Sequence, residues 1–380
     1  AKKWGKVSLL SVAGDDPLIK LHAQLTVSPA DLPRALAAVV KAAARLKGEL
    51  VPPGLEAVDP CPISEAIASS LLAGEKRALF LGNAAEQNPQ AAQLHALALE
   101  LARLTGASCG FLGEGANSVG GHVAKALPTA LNAYEMFAQP RKAYVLLGVE
   151  PELDCHNPQQ ALAALKDAAL VVALTPFADG LVRDYADVLL PISPFTETAG
   201  TFVNAEGRVQ SFQGVVRPLG DSRPGWKVLR VLGNLLGLPG FDQDSSEQVR
   251  DEIAPPGQEF VAGLNNGLAA LPLSLAFARS GLQRVADVPI YFADPLARRA
   301  PALQKTRDAA APMARMSAQT LATLRIGDGV PVRLRQADGE VVLTARADET
   351  VPAGCVRVAA AHASTAALGE MFGAINVERA

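Results

Sequence analysis

The stretch Ala186–Gln213, ADVLLPISPFTETAGTFVNAEGRVQSFQ, decides the fold. A short apolar strand, Val188–Leu190, runs into Pro191 and Pro194. Prolines end a strand there because they lack the N–H that a ladder needs. A turn-rich polar run follows, bringing Glu197, Gly200, Thr201, Phe202, Asn204, Glu206, Gly207, Arg208 and Gln210 close together. Gly200 and Gly207 allow sharp turns or close backbone approach. A buried turn must satisfy its own N–H and C=O groups, and Glu197, Thr201, Asn204 and Arg208 carry the side chains to do so.

Strand and helix signals alternate outward from this stretch. Upstream, Leu170–Leu174 and Tyr144–Leu147 read as buried strands. Between them Asn157–Pro158 supplies an N-cap and a first-turn proline for a helix to about Lys166. Further upstream, Ala91–Leu104 carries Leu94, Leu97, Leu101 and Leu104 at helical spacing, with Gly106 just beyond. Ala78–Leu81 and Ser8–Val12 read as strands. Ile63–Leu72 reads as a helix ending at Gly74, and Ala30–Leu46 as one with Leu32, Leu36, Val39, Val40 and Ala43 on one face. Downstream, Pro224–Leu236 is a helix ending at Gly237. Strands alternating with helices of this length predict βαβ units and a parallel sheet covered on both faces. Leu9–Pro29 and Val171–Pro194 share an order of strand, loop, short helix and strand, each closing on Ser-Pro, which suggests two related α/β units facing each other.

Gly240–Pro312 is broken by prolines and small residues and reads as a connector, with one short helix expected over Leu273–Ser280. Its acid-rich run Asp242–Glu252 reads as a solvated loop. After Met316 the pattern is all-β. Asp338–Gly339 is a hairpin signal between Val332–Leu334 and Val341–Leu343, and Val351–Gly354 turns into Cys355–Val358.

The chain has 380 residues, 49% hydrophobic and 19% charged, which permits a large core and argues against disorder. No apolar run approaches the roughly 20 residues of a membrane helix. A net charge of −3 without a Lys/Arg cluster argues against nucleic acid as a partner. Cys61, Cys109, Cys155 and Cys355 fit no CxxC or ferredoxin-type spacing. His22, His95, His122, His156 and His362 are equally scattered, and only Cys155–His156 are adjacent. Free thiols are the simpler reading. Gly113–Gly121 (GEGANSVGG) tempts a phosphate-loop reading, but its spacing is neither GxGxxG nor GxxxxGK[ST], and no strand is read as leading into a helix there. Arg298, Arg299 and Arg307 read as a surface cluster paired with local acids, with a contact to a neighbouring subunit as the alternative.

The Ala186–Gln213 stretch closely resembles a signature of the molybdopterin oxidoreductase superfamily. Tyr144–Pro151 (YVLLGVEP), Gly113–Gly121, and the downstream run Pro218–Trp226 (PLGDSRPGW) extend the likeness. Within the superfamily the wording is most similar to the large iron–sulfur subunits of bacterial NADH:quinone oxidoreductase, respiratory complex I. Leu282–Thr306 (LQRVADVPIYFADPLARRAPALQKT) and His362–Arg379 (HASTAALGEMFGAINVER) point the same way. The resemblance implies an α/β fold of two packed units of the formate dehydrogenase/DMSO reductase type plus a small C-terminal β-barrel. The implied division is residues 1–60, the end of the first α/β unit; 61–240, the second unit; 241–312, the connector; and 313–380, the barrel.

Active members place an acid after the strand equivalent to Val171–Leu174 and an Asp-Pro-Arg near the first unit's strand end. Here Thr175–Pro176–Phe177 and Asp16–Pro17–Leu18 stand instead, while Asn117 and Gly120 keep the family pattern. No residue of this chain is therefore assigned as catalytic, cofactor-binding or metal-ligating, and no cofactor is expected in it. The [2Fe–2S] and [4Fe–4S] clusters that the resemblance implies would lie upstream of residue 1. The implied role is a scaffold supporting electron transfer from NADH to quinone. The implied partners are the iron–sulfur domains and the other subunits of the peripheral arm, at the cytoplasmic face of the bacterial inner membrane. Two alternatives stay open: a fragment of a catalytic molybdenum or tungsten bis-pterin enzyme such as formate dehydrogenase, and a Rossmann-like module holding an ordinary nucleotide.

Overall fold

The computed structural model describes residues 5–269, 271–275 and 281–380. Ala276–Ser280, the larger part of the short helix expected over Leu273–Ser280, lie outside the described residues. The N-terminal elements are strands β1 (Ser8–Ser11) and β2 (Ala23–Thr26), then helices α1 (Leu32–Lys47) and α2 (Pro62–Ala73). Strand β3 (Ala78–Leu81), helices α3 (Asn83–Glu86) and α4 (Ala91–Thr105), and strand β4 (Ser108–Phe111) follow. β1 pairs in parallel with β2, and β3 with β4.

Helix α1 is the centre of this part. Twelve of its sixteen residues are buried, so neighbours surround it instead of facing one apolar stripe. Its run of alanines lets α2 and α4 approach closely, and Leu94, Leu97, Leu101 and Leu104 of α4 join its core. Gly48, at φ +73°, closes α1 with its N–H on the Ala44 and Arg45 carbonyls. Lys41 is also buried, and its Nζ donates to the Glu56 carbonyl at 2.6 Å, which offsets part of the cost of burying an ammonium.

Next come α5 (Ser118–Val123), α6 (Ala133–Ala138), β5 (Ala143–Leu147), α7 (Pro151–Asp154) and α8 (Pro158–Lys166). They lead to β6 (Leu170–Thr175), α9 (Val182–Tyr185) and β7 (Val188–Pro191). β5, β6 and β7 form a parallel sheet in sequence order, with Val145, Val172 and Val188 in one row. Right-handed crossovers that all step the same way put their helices on one face. Accordingly Ala164 and Leu165 of α8 and Val182 and Tyr185 of α9 share a core with Tyr144, Leu146, Val171 and Ala173, while Val145, Leu147 and Val188 on the opposite face are exposed, so the sheet is not covered on both faces as expected. Asn157 caps α8 as expected, its Oδ1 accepting from the Gln160 N–H at 3.2 Å. The repeat read between Leu9–Pro29 and Val171–Pro194 holds for the parallel strand pairs. The short helix is present only in the second copy, since residues 12–22 connect β1 to β2 without one.

The remaining elements are the hairpin β8 (Gly200–Val203) and β9 (Val209–Phe212), helices α10 (Gly225–Leu235) and α11 (Ser246–Ile253), strand β10 (Gln283–Val285) and helix α12 (Pro295–Arg298). The C-terminal part has β11 (Ala314–Met316), α13 (Ala318–Leu324), β12 (Pro331–Gln336), β13 (Gly339–Ala347), β14 (Cys355–Arg357), β15 (Phe372–Ala374) and β16 (Asn376–Arg379). The run Asp242–Glu252, read as a solvated loop, contains α11. Ser245 caps that helix by accepting from the Gln248 N–H, so the acids line an exposed helix face.

A seven-stranded sheet is ordered β15-β10-β14-β11-β13-β12-β16. Its two edge strands are joined by Ile375 alone. Consecutive Cα atoms lie ~3.8 Å apart, so the sheet must curl until its edges nearly meet. The fold is thus mixed α/β with a curled, half-barrel sheet at the C-terminal end. β10, from within the expected connector, pairs with β14 and β15 and is part of that sheet. Val285, Cys355, Met371 and Phe372 pack into the same core as α1.

Candidate functional site

In open α/β sheets ligands bind outside the carboxyl ends of the strands. In the β5–β7 sheet those ends carry acids. β5 runs through Gly148, at φ +63°, to Glu150 and the short helix α7 bearing Glu152 and Asp154. β6 runs through Thr175–Pro176–Phe177 to Asp179. The Thr175 hydroxyl donates to the Phe177 carbonyl at 2.9 Å and accepts from its N–H at 3.2 Å, which fixes the turn that presents Phe177 and Asp179.

The connector delivers two arginines to this place. Asp294 caps α12 by accepting from the Leu296 and Ala297 N–H groups at 2.8 and 3.1 Å. Pro295 occupies the first turn, and Arg298 and Arg299 follow at the helix end. Arg298 donates to Glu150 at 2.7 Å, to Asp154 at 2.5 Å and to the Phe292 carbonyl at 2.7 Å. Arg299 donates to Glu150 at 2.5 Å, to Asp179 at 2.8 and 3.0 Å, and to the Pro295 carbonyl at 3.1 Å. Its guanidinium also lies 4.2 Å from the centre of the Phe177 ring.

Arg298 and Arg299 are therefore not the surface cluster expected from sequence. They are largely buried and tie the connector to the strand ends, Arg298 reaching Glu150 across 148 positions of chain, while Arg307 remains exposed. Burial pulls Arg299 down in pKa, but its bonds to Glu150 and Asp179 outweigh that and hold it above the usual guanidinium value. Asp179 is held low by Arg299. Glu152 faces inward, and burial raises its pKa although the Tyr185 hydroxyl donates to it at 3.2 Å. Burial, reinforced by Asp154, pushes the adjacent Cys155 thiol up to about 11, which suppresses thiolate chemistry. Among the described residues no group of three or more His, Cys, Asp and Glu could hold a metal ion.

The second place with sequence motifs is the Gly113–Gly121 loop. A strand does lead into a helix there: β4 is joined to α5 through residues 112–117. The sequence hides this strand because Ser108–Phe111 is short and contains Cys and Gly. Asn117 Oδ1 accepts from the Val203 N–H at 2.8 Å, so the loop is bonded to hairpin β8–β9. A Cβ on Gly120 would fall within 2.0 Å of that Asn117 oxygen, hence the glycine.

The hairpin itself is what the polar run after Pro194 builds. Asn204 Oδ1 accepts from the Glu206 and Arg208 N–H groups, Glu197 accepts from the Leu219 N–H, and the Thr201 and Ser211 hydroxyls bond at 2.9 Å. Asn204 and Glu197 thus satisfy backbone N–H groups as expected, whereas Thr201 bonds another side chain and, among the described residues, the Arg208 side chain bonds no backbone group, lying beside Glu206 at 4.0 Å. A cleft of about 240 Å³ remains between α5, β8, α10 and α11, with Asn117, Thr201, Trp226 and Arg250 on its walls.

Residues 59–235 match the family described as molybdopterin oxidoreductase. Two curated relatives, each named "Putative formate dehydrogenase", come from Staphylococcus aureus strains USA300 and MRSA252. Each is 46% identical over 70 residues, which is 18% of this chain and 7% of the relative's length. The match thus spans a small fraction of those relatives. Acetylene hydratase from Pelobacter acetylenicus is a similar solved structure, at 15% identity and TM-score 0.48, with 65% of this chain and 46% of that one covered.

Proposed function

We propose that this chain, of which residues 59–235 match the molybdopterin oxidoreductase family, is a non-catalytic scaffold part of the large iron–sulfur subunit of NADH:quinone oxidoreductase. In this reading it descends from a metallo-pterin enzyme and keeps that enzyme's body. It supports electron transfer by clusters carried elsewhere in the same subunit, and packs against other subunits of the peripheral arm at the cytoplasmic face of the inner membrane. Among the described residues no helix is long and apolar enough to cross a membrane, which accords with peripheral attachment.

One observation carries the reading. A pterin cofactor linked through pyrophosphate is anionic and needs free cations or N–H donors at the strand ends. There the chain places Glu150, Asp154 and Asp179 against Arg298 and Arg299, so carboxylates outnumber guanidiniums and both guanidiniums are already paired. The residues present at these strand ends do not fit the cofactor.

The test is metal and pterin analysis of the purified protein, with a formate-oxidation assay using an artificial electron acceptor. The expected result is no stoichiometric molybdenum, tungsten or pterin and no turnover. Stoichiometric metal with bound pterin overturns the proposal.

The second reading, a fragment of a catalytic formate-dehydrogenase-like enzyme, is favoured by the 46% identity over 70 residues to the Staphylococcus proteins. The same assays separate the two.

A further inference from the structure

We propose that the carboxyl end of the β5–β7 sheet is a guanidinium-binding site and that its resident ligand is Arg299 of the chain's own connector. This rests on the scaffold reading, which requires the strand ends to be closed to an anionic cofactor, and names what closes them.

The recognition uses both features of a planar cation, its rim and its face. Guanidinium has donors around its rim and two apolar faces. On the rim, Asp179 takes Nε and Nη2, Glu150 takes Nη2, and the Pro295 carbonyl takes Nη1. On one face lies Phe177, 4.2 Å from ring centre to guanidinium carbon, a cation–π contact. An ammonium could satisfy the charge and a cation–π contact, but neither the planar fork nor flat stacking on the ring.

The walls and the ligand have different origins. Glu150 hangs from the end of β5, and Phe177 and Asp179 from the end of β6, in a turn fixed by Thr175. Arg299 comes from a segment 120 positions beyond Asp179. Arg298 fastens the same segment alongside, through Asp154, Glu150 and the Phe292 carbonyl. The α/β unit therefore supplies the aromatic wall and two carboxylates, and the connector inserts the group they fit. An anionic ligand could enter only by expelling that segment and facing the carboxylates it neutralised.

The experiment is thermal unfolding of the full chain carrying Arg299→Ala, with methylguanidinium chloride added back and KCl or ammonium chloride at equal ionic strength as controls. Arg299→Ala is expected to lower Tm by roughly 5 °C, because it removes one of the two counter-charges of the buried Glu150, while Asp179 stays exposed to water. About 10 mM methylguanidinium is expected to restore at least half of the loss, saturably, by mass action on the emptied site. It should not raise the Tm of the wild type or of Asp179→Asn/Arg299→Ala.

The proposal is overturned if Arg299→Ala melts with the wild type, if methylguanidinium fails to rescue it, or if ammonium rescues it equally. Should Arg299→Ala not fold, Arg299→Lys decides: a Tm below wild type supports the fork-and-face site, and a Tm equal to wild type overturns it. Metal and pterin analysis of the wild type tests the scaffold reading separately, so that reading can fail while methylguanidinium rescue still stands.

Discussion

Arg298 has a side chain only 8% exposed, and removing it would leave Glu150 and Asp154 facing each other with half their counter-charge gone. Arg298→Ala should therefore cost about 3 kcal/mol in urea unfolding, far more than an exposed ion pair. A cost below ~1 kcal/mol would mean that water screens the pair. Glu152 makes the opposite point. Burial raises its pKa above the ordinary 4.5, so the folded state holds this proton more tightly than the unfolded chain does. The folded state then binds more protons in the window just above pH 4.5, and stability contributed at this site falls as pH rises through it. Glu152→Gln keeps an acceptor for Tyr185 and removes the charge. It should flatten that fall and leave the protein at least as stable at neutral pH, as read by chemical denaturation across a pH series. A variant less stable than wild type at neutral pH would show that the buried carboxylate is net stabilising.

Among elements, the loop before α5 and the hairpin β8–β9 are coupled by one side chain, Asn117, whose oxygen takes the Val203 N–H. Val203 is buried, so losing this acceptor leaves an N–H without water to replace it. Asn117→Ala should cost about 1–2 kcal/mol and raise hydrogen exchange at the Val203 amide; unchanged exchange there would break the assigned link. Gly233 of α10 is a second such contact. A Cβ there would meet the Phe241 ring at 2.4 Å, so Gly233→Ala must push Phe241 aside. The expected cost is about 1–3 kcal/mol by thermal unfolding despite the better helix propensity of alanine. A stabilised variant would show that Phe241 moves freely.

Over the whole molecule, the half-barrel is not an appendage. Phe372, 2% exposed, belongs to the core built around α1, and Arg357 of β14 ties Asp287 to Asp15 near the N-terminal end. Phe372→Ala should destabilise by about 3–5 kcal/mol and speed amide exchange in α1 as well as in β10, since both would lose one shared packing surface. Faster exchange confined to the C-terminal sheet would show that the two parts unfold independently.

The helices α1, α4 and α8 and the strands β5 to β7 are legible in the sequence because periodicity, caps and apolar runs are properties of neighbouring residues. The parallel α/β class and the terminal β region follow from their order, and the Ala186–Gln213 motif carries a likeness to the molybdopterin oxidoreductase family, whose model matches residues 59–235. Strand β4, hairpin β8–β9 and helix α11 escaped because short or polar stretches take their structure from what packs on them. The site escaped for the same reason in stronger form. Glu150, Phe177, Asp179 and Arg299 each look ordinary in their local context, and Arg298–Arg299 read as a surface pair. Only the folded chain brings them together, because a charge's partner is fixed by distance in space, and nothing local in sequence encodes a contact made across 148 positions.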